Sequence, residues 1–165
     1  LIALAVSLVA CGCATGRIRP ADPYRKDHAY LYGRFTIEGQ RMTFDLHCRD
    51  GATYAIEFSN RREVQMIEMV PSVCELETIE YGNALQRVAA FRLLRNEVLD
   101  PGGVYYIGDY GASGTYDTMT VFIATEVRQS WRLKRPRDDY ARTTADMRRA
   151  YPNFASVSTE DRVAP

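Results

Sequence analysis

The chain has 165 residues, of which 46% are hydrophobic and 25% charged, the balance of a folded globular domain and not of a disordered chain. Its 21 basic and 21 acidic residues cancel, which excludes a general electrostatic grip on nucleic acid. The local balance is uneven. Arg128, Arg132, Lys134, Arg135 and Arg137 crowd into one short stretch that contains no acid.

The first ten residues, LIALAVSLVA, are apolar apart from Ser7 and carry no charge. As a helix they rise only about 15 Å, half of a hydrocarbon core of about 30 Å, so they cannot span a bilayer. They suit the apolar region of a signal peptide. No initiator Met and no basic region precede them, so the chain is expected to start inside that signal. Leu8-Val9-Ala10-Cys11 then resembles the lipobox of bacterial lipoproteins: an aliphatic residue, a tolerant position, a small residue and a cysteine. The resemblance implies removal of residues 1–10 and acylation of Cys11, palmitate included. Each buried methylene contributes about 0.8 kcal/mol, so two or three acyl chains give lasting attachment. Gly12 stands where an aspartate would mark inner-membrane retention, so the expected address is the outer membrane, periplasmic or surface-facing. Cys13 is less suited to lipidation, because Ala10 and Cys11 precede it where the motif wants other residues.

Residues 11–28 contain Pro20 and Pro23 and show no periodicity, so they read as the lipidated cysteine and a flexible tether. A β domain is expected over 29–135. Its segments 29–38, 41–49, 52–59, 63–70 and 73–81 are alternating or β-rich and separated by turn residues. Segment 84–95 fits either a short helix or a strand. Asp100-Pro101-Gly102-Gly103 is a turn into a strand over 104–111. Residues 113–115 read as a flexible tip, and 119–134 as one long strand or two. Residues 136–151 form an amphipathic helix with Tyr140, Thr144, Met147 and Tyr151 on one face. Asp138 or Asp139 can cap it, Arg148 and Arg149 complement its dipole, and Pro152 stops it. Residues 152–165 read as a flexible tail.

Short strands with turns every ten residues or so predict a mainly β fold, an antiparallel sandwich with a C-terminal amphipathic helix. Val70-Pro71 with Cys74-Glu75-Leu76, followed by Asp100-Pro101-Gly102-Gly103-Val104-Tyr105-Tyr106-Ile107-Gly108-Asp109, resembles a pattern in small lipoproteins of immunoglobulin-like or transthyretin-like fold. It departs from that pattern at Pro71-Ser72, where glycine more often follows the proline. The resemblance implies an immunoglobulin-like fold and no activity. In the oxidising compartment that the lipobox implies, Cys48 and Cys74 are expected to pair, the alternative being two separately buried thiols.

Chemistry is sparse. Gly111-Ala112-Ser113-Gly114-Thr115 misses the G-x-S-x-G elbow at its last position and lies between strands instead of joining a strand to a helix. The two histidines, His28 and His47, are far apart in sequence, and His47 and Cys48 are adjacent strand residues that point to opposite faces. No metal or other cofactor is expected. A calcium ion shared by Asp109 and Asp117 would lack EF-hand spacing. Of the 11 tyrosines, Tyr105 and Tyr106 should lie on opposite faces with one of them exposed. Tyr106, Tyr110, Ser113 and Tyr116 are therefore candidates for contact with an envelope protein or polysaccharide, set against plain core packing. Arg128, Arg132, Lys134, Arg135 and Arg137 are candidates for an anionic surface, or else for a solvated strand edge. The expected function is a non-enzymatic, lipid-anchored structural or interaction module of the cell envelope. The alternatives are an inhibitor or immunity-type lipoprotein acting through 109–117, and a small envelope hydrolase using Ser113 or His47.

Overall fold

The computed structural model describes residues 16–37, 42–51, 53–58, 63–81, 86–88, 98–121 and 124–163. The lipobox, Cys11 and the signal lie outside these residues. Alternating and β-branched segments become strands where expected: β1 (Ala29–Ile37), β2 (Met42–Cys48), β3 (Thr53–Phe58), β4 (Val64–Met69) and β5 (Ser72–Tyr81). Two short strands follow, β6 (Gln86–Val88) and β7 (Val98–Leu99), so the ambiguous 84–95 segment contains a strand. The chain then forms β8 (Val104–Val121), β9 (Ala124–Arg137), helix α1 (Tyr140–Ala150), a 3-10 turn at Pro152–Phe154 and β10 (Glu160–Asp161).

Among the described residues the fold is mainly β, with two sheets and one α-helix. One sheet runs β10-β8-β1-β4 with β9 also on β8; the other runs β3-β2-β5-β6 with β7 on β5. The expectation of wholly antiparallel pairing is corrected, because β8 lies parallel to both β1 and β10. Strands this distant in sequence are free of the antiparallel constraint that a tight hairpin imposes. In the second sheet β2 and β5 place Cys48 opposite Cys74, and the two form a disulfide.

The core sits between the first sheet and the C-terminal helix. Tyr30 and Tyr32 of β1, Val64 and Met66 of β4, and Val104 and Tyr106 of β8 share one face. Met147, Tyr151 and Phe154 pack onto that face, and Val163 joins them. The opposite face is also buried, through Leu31, Ile67, Met69 and Tyr105.

Three expectations about flexible segments are corrected. Residues 16–28 are no tether: Arg17 bridges to Ile67, the Ile18 amide donates to Met66 O at 3.2 Å, and the Ile18 side chain enters the core. This short stretch covers the outer edge of β4, satisfying strand groups that would otherwise template aggregation. Residues 152–163 are no loose tail. Phe154 is fully buried against Tyr24 and Tyr30, and the Arg162 amide donates to Tyr106 O at 2.9 Å. The isolated apolar residues Ile18, Tyr24, Phe154 and Val163 carry no periodic signal, yet each fills the same core. Finally, residues 113–115 are not a tip. The β8–β9 ladder continues through Ser113↔Arg132 and Thr115↔Ser130 to Val121↔Ala124. A long ladder supplies the backbone hydrogen bonds that compensate for weak strand formers such as Gly114.

Candidate functional site

A bulge in β8 assembles a part-buried polar cluster beneath α1. The β1–β8 register advances from Tyr32↔Tyr106 to Gly33↔Gly108, leaving Ile107 as the extra residue. Gly108 supplies the positive φ of 114° that this irregularity requires. Regular alternation would put Tyr106 and Asp109 on opposite faces. The bulge reverses the phase, so both reach the helix side, while the Tyr110 hydroxyl donates to the displaced Ile107 carbonyl at 2.6 Å.

Asp109 lies beneath the first turn of α1. Its carboxylate accepts hydrogen bonds from Tyr106 Oη at 3.1 Å and from Thr143 Oγ1 at 2.9 and 3.0 Å. Tyr106 Oη in turn accepts from the Asp139 amide at 3.2 Å, one of the helix-start donors that need a partner. Asp139 occupies the N-cap position without a side-chain cap bond; of the two expected candidates it is Asp138 whose carboxylate accepts from the Tyr140 amide, at 3.4 Å, and Tyr106 of the neighbouring strand adds a second acceptor at the helix start. Burial pushes the Asp109 carboxyl above its ordinary range, against the opposing pull of Thr143, Tyr106 and Arg34. Tyr106 is likewise raised by burial.

A second polar contact locks the same helix. Arg34 of β1 and Arg149 both bind Asp146. Desolvation pushes Asp146 up, but the hydrogen bonds from Arg149 and Arg34 outweigh it and hold the carboxyl below its usual range. Tyr32 shares a 2.6 Å hydrogen bond with Thr144, and burial raises its hydroxyl to about 12.

The candidate residues divide sharply. Tyr106 and Tyr110 are 0% and 3% exposed, which corrects their assignment to a partner-facing surface. Tyr105 is buried as well, beneath the Arg162 guanidinium at 4.6 Å, so neither member of the adjacent pair is exposed. Ser113 and Tyr116 sit within the β8–β9 ladder opposite Arg132 and Gln129, away from any strand–helix elbow. Asp109 and Asp117 stand eight residues apart on one strand, about 26 Å, too far to share a cation. His47 is exposed and opposite Glu75. Among the described residues, no group of three His, Cys, Asp or Glu side chains is placed to hold a metal. Arg128, Arg132 and Lys134 pair with Asp117, Ser113 and Gly111, and Arg137 with Asp109, while Arg135 falls where the ladder shifts register.

Thr143, Arg34 and Asp146 escape sequence reasoning, which considers Asp109 only as a cation ligand beside Asp117, because the meeting of these residues depends on a bulge and on helix docking. Gly108 inside a strand pattern is the one available signal. The cluster holds the helix against the sheet. Comparison of the chain with protein-family models, curated proteins and solved structures yields no match.

Proposed function

We propose that this protein is a lipid-anchored, non-enzymatic structural or interaction module of the bacterial cell envelope. The observation that carries the reading is the lipobox Leu8-Val9-Ala10-Cys11 directly ahead of a folded β domain. The Cys48–Cys74 disulfide supports it, since such bonds persist in oxidising compartments. The described polar cluster is committed to docking α1, which favours a structural role over catalysis for Asp109 and Thr143. The finer architecture belongs to the same proposal: an immunoglobulin-like sandwich in which the second sheet covers the buried Leu31–Ile67–Tyr105 face.

Metabolic labelling with a palmitate analogue tests the anchor. The wild-type chain takes up label and fractionates with membranes, whereas Cys11→Ala loses both properties. Persistent labelling of Cys11→Ala would refute lipidation at this residue. Substituting Ser113 or His47 should leave the envelope phenotype intact; loss with the fold retained would favour a hydrolase.

A further inference from the structure

The N-terminal segment fixes which end of the domain an anchor approaches. Gly16 O accepts from the Glu68 amide, Arg17 bridges antiparallel to Ile67, and the Ile18 amide donates to Met66 O. The segment therefore runs against β4 and comes in from the end where β4 finishes at Met69, with Val70 next in the chain. The starts of β1 and β8 lie at the same end, since Ala29 pairs with Met69 and Tyr30 with Val104. The 100–103 turn closes over it: the Gly102 amide donates to His28 O at 2.7 Å, and the Tyr24 hydroxyl donates to Gly102 O at 2.7 Å.

The second sheet turns at this end too. Ile37 and Met42 are five residues apart, at most about 18 Å, and Phe58 and Val64 six, at most about 22 Å. Met42 pairs with both Phe58 and Tyr81, so that corner of the second sheet is tied to the opposite end of β1 and β4. From there β2 and β5 lead back to the Cys48–Cys74 pair, the exposed 49–51 turn, and Ser72, two residues from Val70. β7 joins them, with Val98 on Val73. Among the described residues the exposed large hydrophobics are Val70 and Val98, at 55% and 43%, and both sit at this end. The charges here cancel: Arg25 is paired with Asp27 and Glu68, while Arg17, Lys26 and Arg49 are set against Asp50 and Asp100.

We infer that this end of the domain rests on the surface of the anchoring bilayer, through Val70 and Val98. The inference rests on the lipid-anchor reading above. Cys11 is five residues before Gly16 and stays within roughly 18 Å of it, so a lipid there brings the Val70 end, and not the far end of β1, to the membrane. Cancelling charges give no pull from anionic headgroups, whereas valine side chains gain by leaving water. The contact therefore depends on the anchor and on apolar burial, and is indifferent to lipid charge. Helix α1 offers a reference point away from the bilayer. Exposed Ala145 lies between Thr144, bonded to Tyr32, and Asp146, bonded to Arg34. Arg34 is five residues along β1 from Ala29, about 17 Å from the Val70 end.

The test uses the full lipidated chain in phosphatidylcholine vesicles that carry a doxyl-labelled phosphatidylcholine as quencher. An environment-sensitive fluorophore is placed on V70C, V98C or A145C, each with Cys13→Ser so that the introduced thiol is the one that reacts. Emission from V70C and V98C should shift to the blue and be quenched, whereas A145C should stay water-exposed and unquenched. Replacing phosphatidylcholine with phosphatidylglycerol should leave all three readings unchanged. V70D/V98D, read through a fluorophore on K26C beside the 100–103 turn, should lose the quenching that K26C alone shows. Should that variant fail to fold, the single-cysteine variants at exposed positions decide. Absence of quenching at V70C and V98C, equal quenching at A145C, or contact with phosphatidylglycerol alone each overturns the inference. Vesicle flotation and palmitate labelling of Cys11 are read on the same samples. A chain that floats without quenching refutes the contact and spares the anchor; one that neither labels nor floats refutes the anchor and the contact with it.

Discussion

Asp109 shows how one carboxyl ties a helix to a sheet at a cost. Its folded-state pKa lies above the unfolded value, so the folded state binds more protons between those two values. This group's contribution to stability therefore falls as pH rises through that window. Asp109→Asn, which preserves an acceptor for Thr143 and Tyr106, should flatten that fall in urea denaturation followed from pH 4 upward. Asp109→Leu should instead destabilise by about 1–3 kcal/mol, because two buried hydroxyls lose an acceptor. Asp146 has the opposite sign. Its pKa is depressed, so its contribution is present above the unfolded value and is lost as pH falls through the folded value. A double-mutant cycle on Arg34 and Asp146 should show a coupling that shrinks at low pH. The tyrosines follow a related logic: Tyr24, Tyr30, Tyr106 and Tyr110 each bury a ring and direct the hydroxyl to a fixed oxygen. A tyrosine-rich composition thus becomes a core that specifies its own geometry.

At the level of elements, the bulge in β8 and the disulfide between β2 and β5 carry distinct consequences. Gly108→Ala must accept a φ that L-residues avoid, and should cost about 1–3 kcal/mol. Hydrogen exchange should reveal the loss at β8 and the start of α1 together, since the bulge brings Asp109 beneath the helix. Exchange confined to β8 would separate the bulge from helix docking. The Cys48–Cys74 bond closes a separation of 26 residues, for which chain-entropy reasoning gives about 3–4 kcal/mol. Replacing both cysteines with alanine should lower the denaturation midpoint and abolish its response to reductant. An unchanged midpoint would mean that the native strands gain little from the constraint.

For the molecule as a whole, the two chain-terminal segments are structural parts of the first sheet's core. Residues 16–28 and 152–163 meet where the Asn153 side-chain amide donates to the Ala21 and Asp22 carbonyls, beside the Tyr24–Phe154 contact. Phe154→Ala should destabilise by about 3–5 kcal/mol in chemical denaturation. Removing residues 16–28 should likewise lower the midpoint, through loss of Ile18 burial and exposure of the β4 edge. A midpoint unaffected by that deletion would restore the tether reading. Only five residues separate Cys11 from Arg17, which bridges to Ile67, so an anchor at Cys11 would be held close to β4.

Alternation, turn residues and helix periodicity suffice to read the mainly β class, most strand positions and the helix near 140–150. These signals are local: side chains two apart on a strand, or three and four apart on a helix, declare the buried face by themselves. The cysteine positions and expected compartment also anticipated the Cys48–Cys74 bond. The parallel β1–β8 pairing, the Asp109–Tyr106–Thr143 cluster and the fate of both terminal segments are different in kind. They arise between residues distant in the chain, through a register shift at Gly108 and through single apolar residues that meet only when the helix docks. Alternation predicted one exposed residue in the Tyr105–Tyr106 pair, which holds for a sheet with one wet face. At the level of Tyr105 and Tyr106 the sheet is buried on both faces, so alternation still sorts these side chains between two sides, but neither side is water.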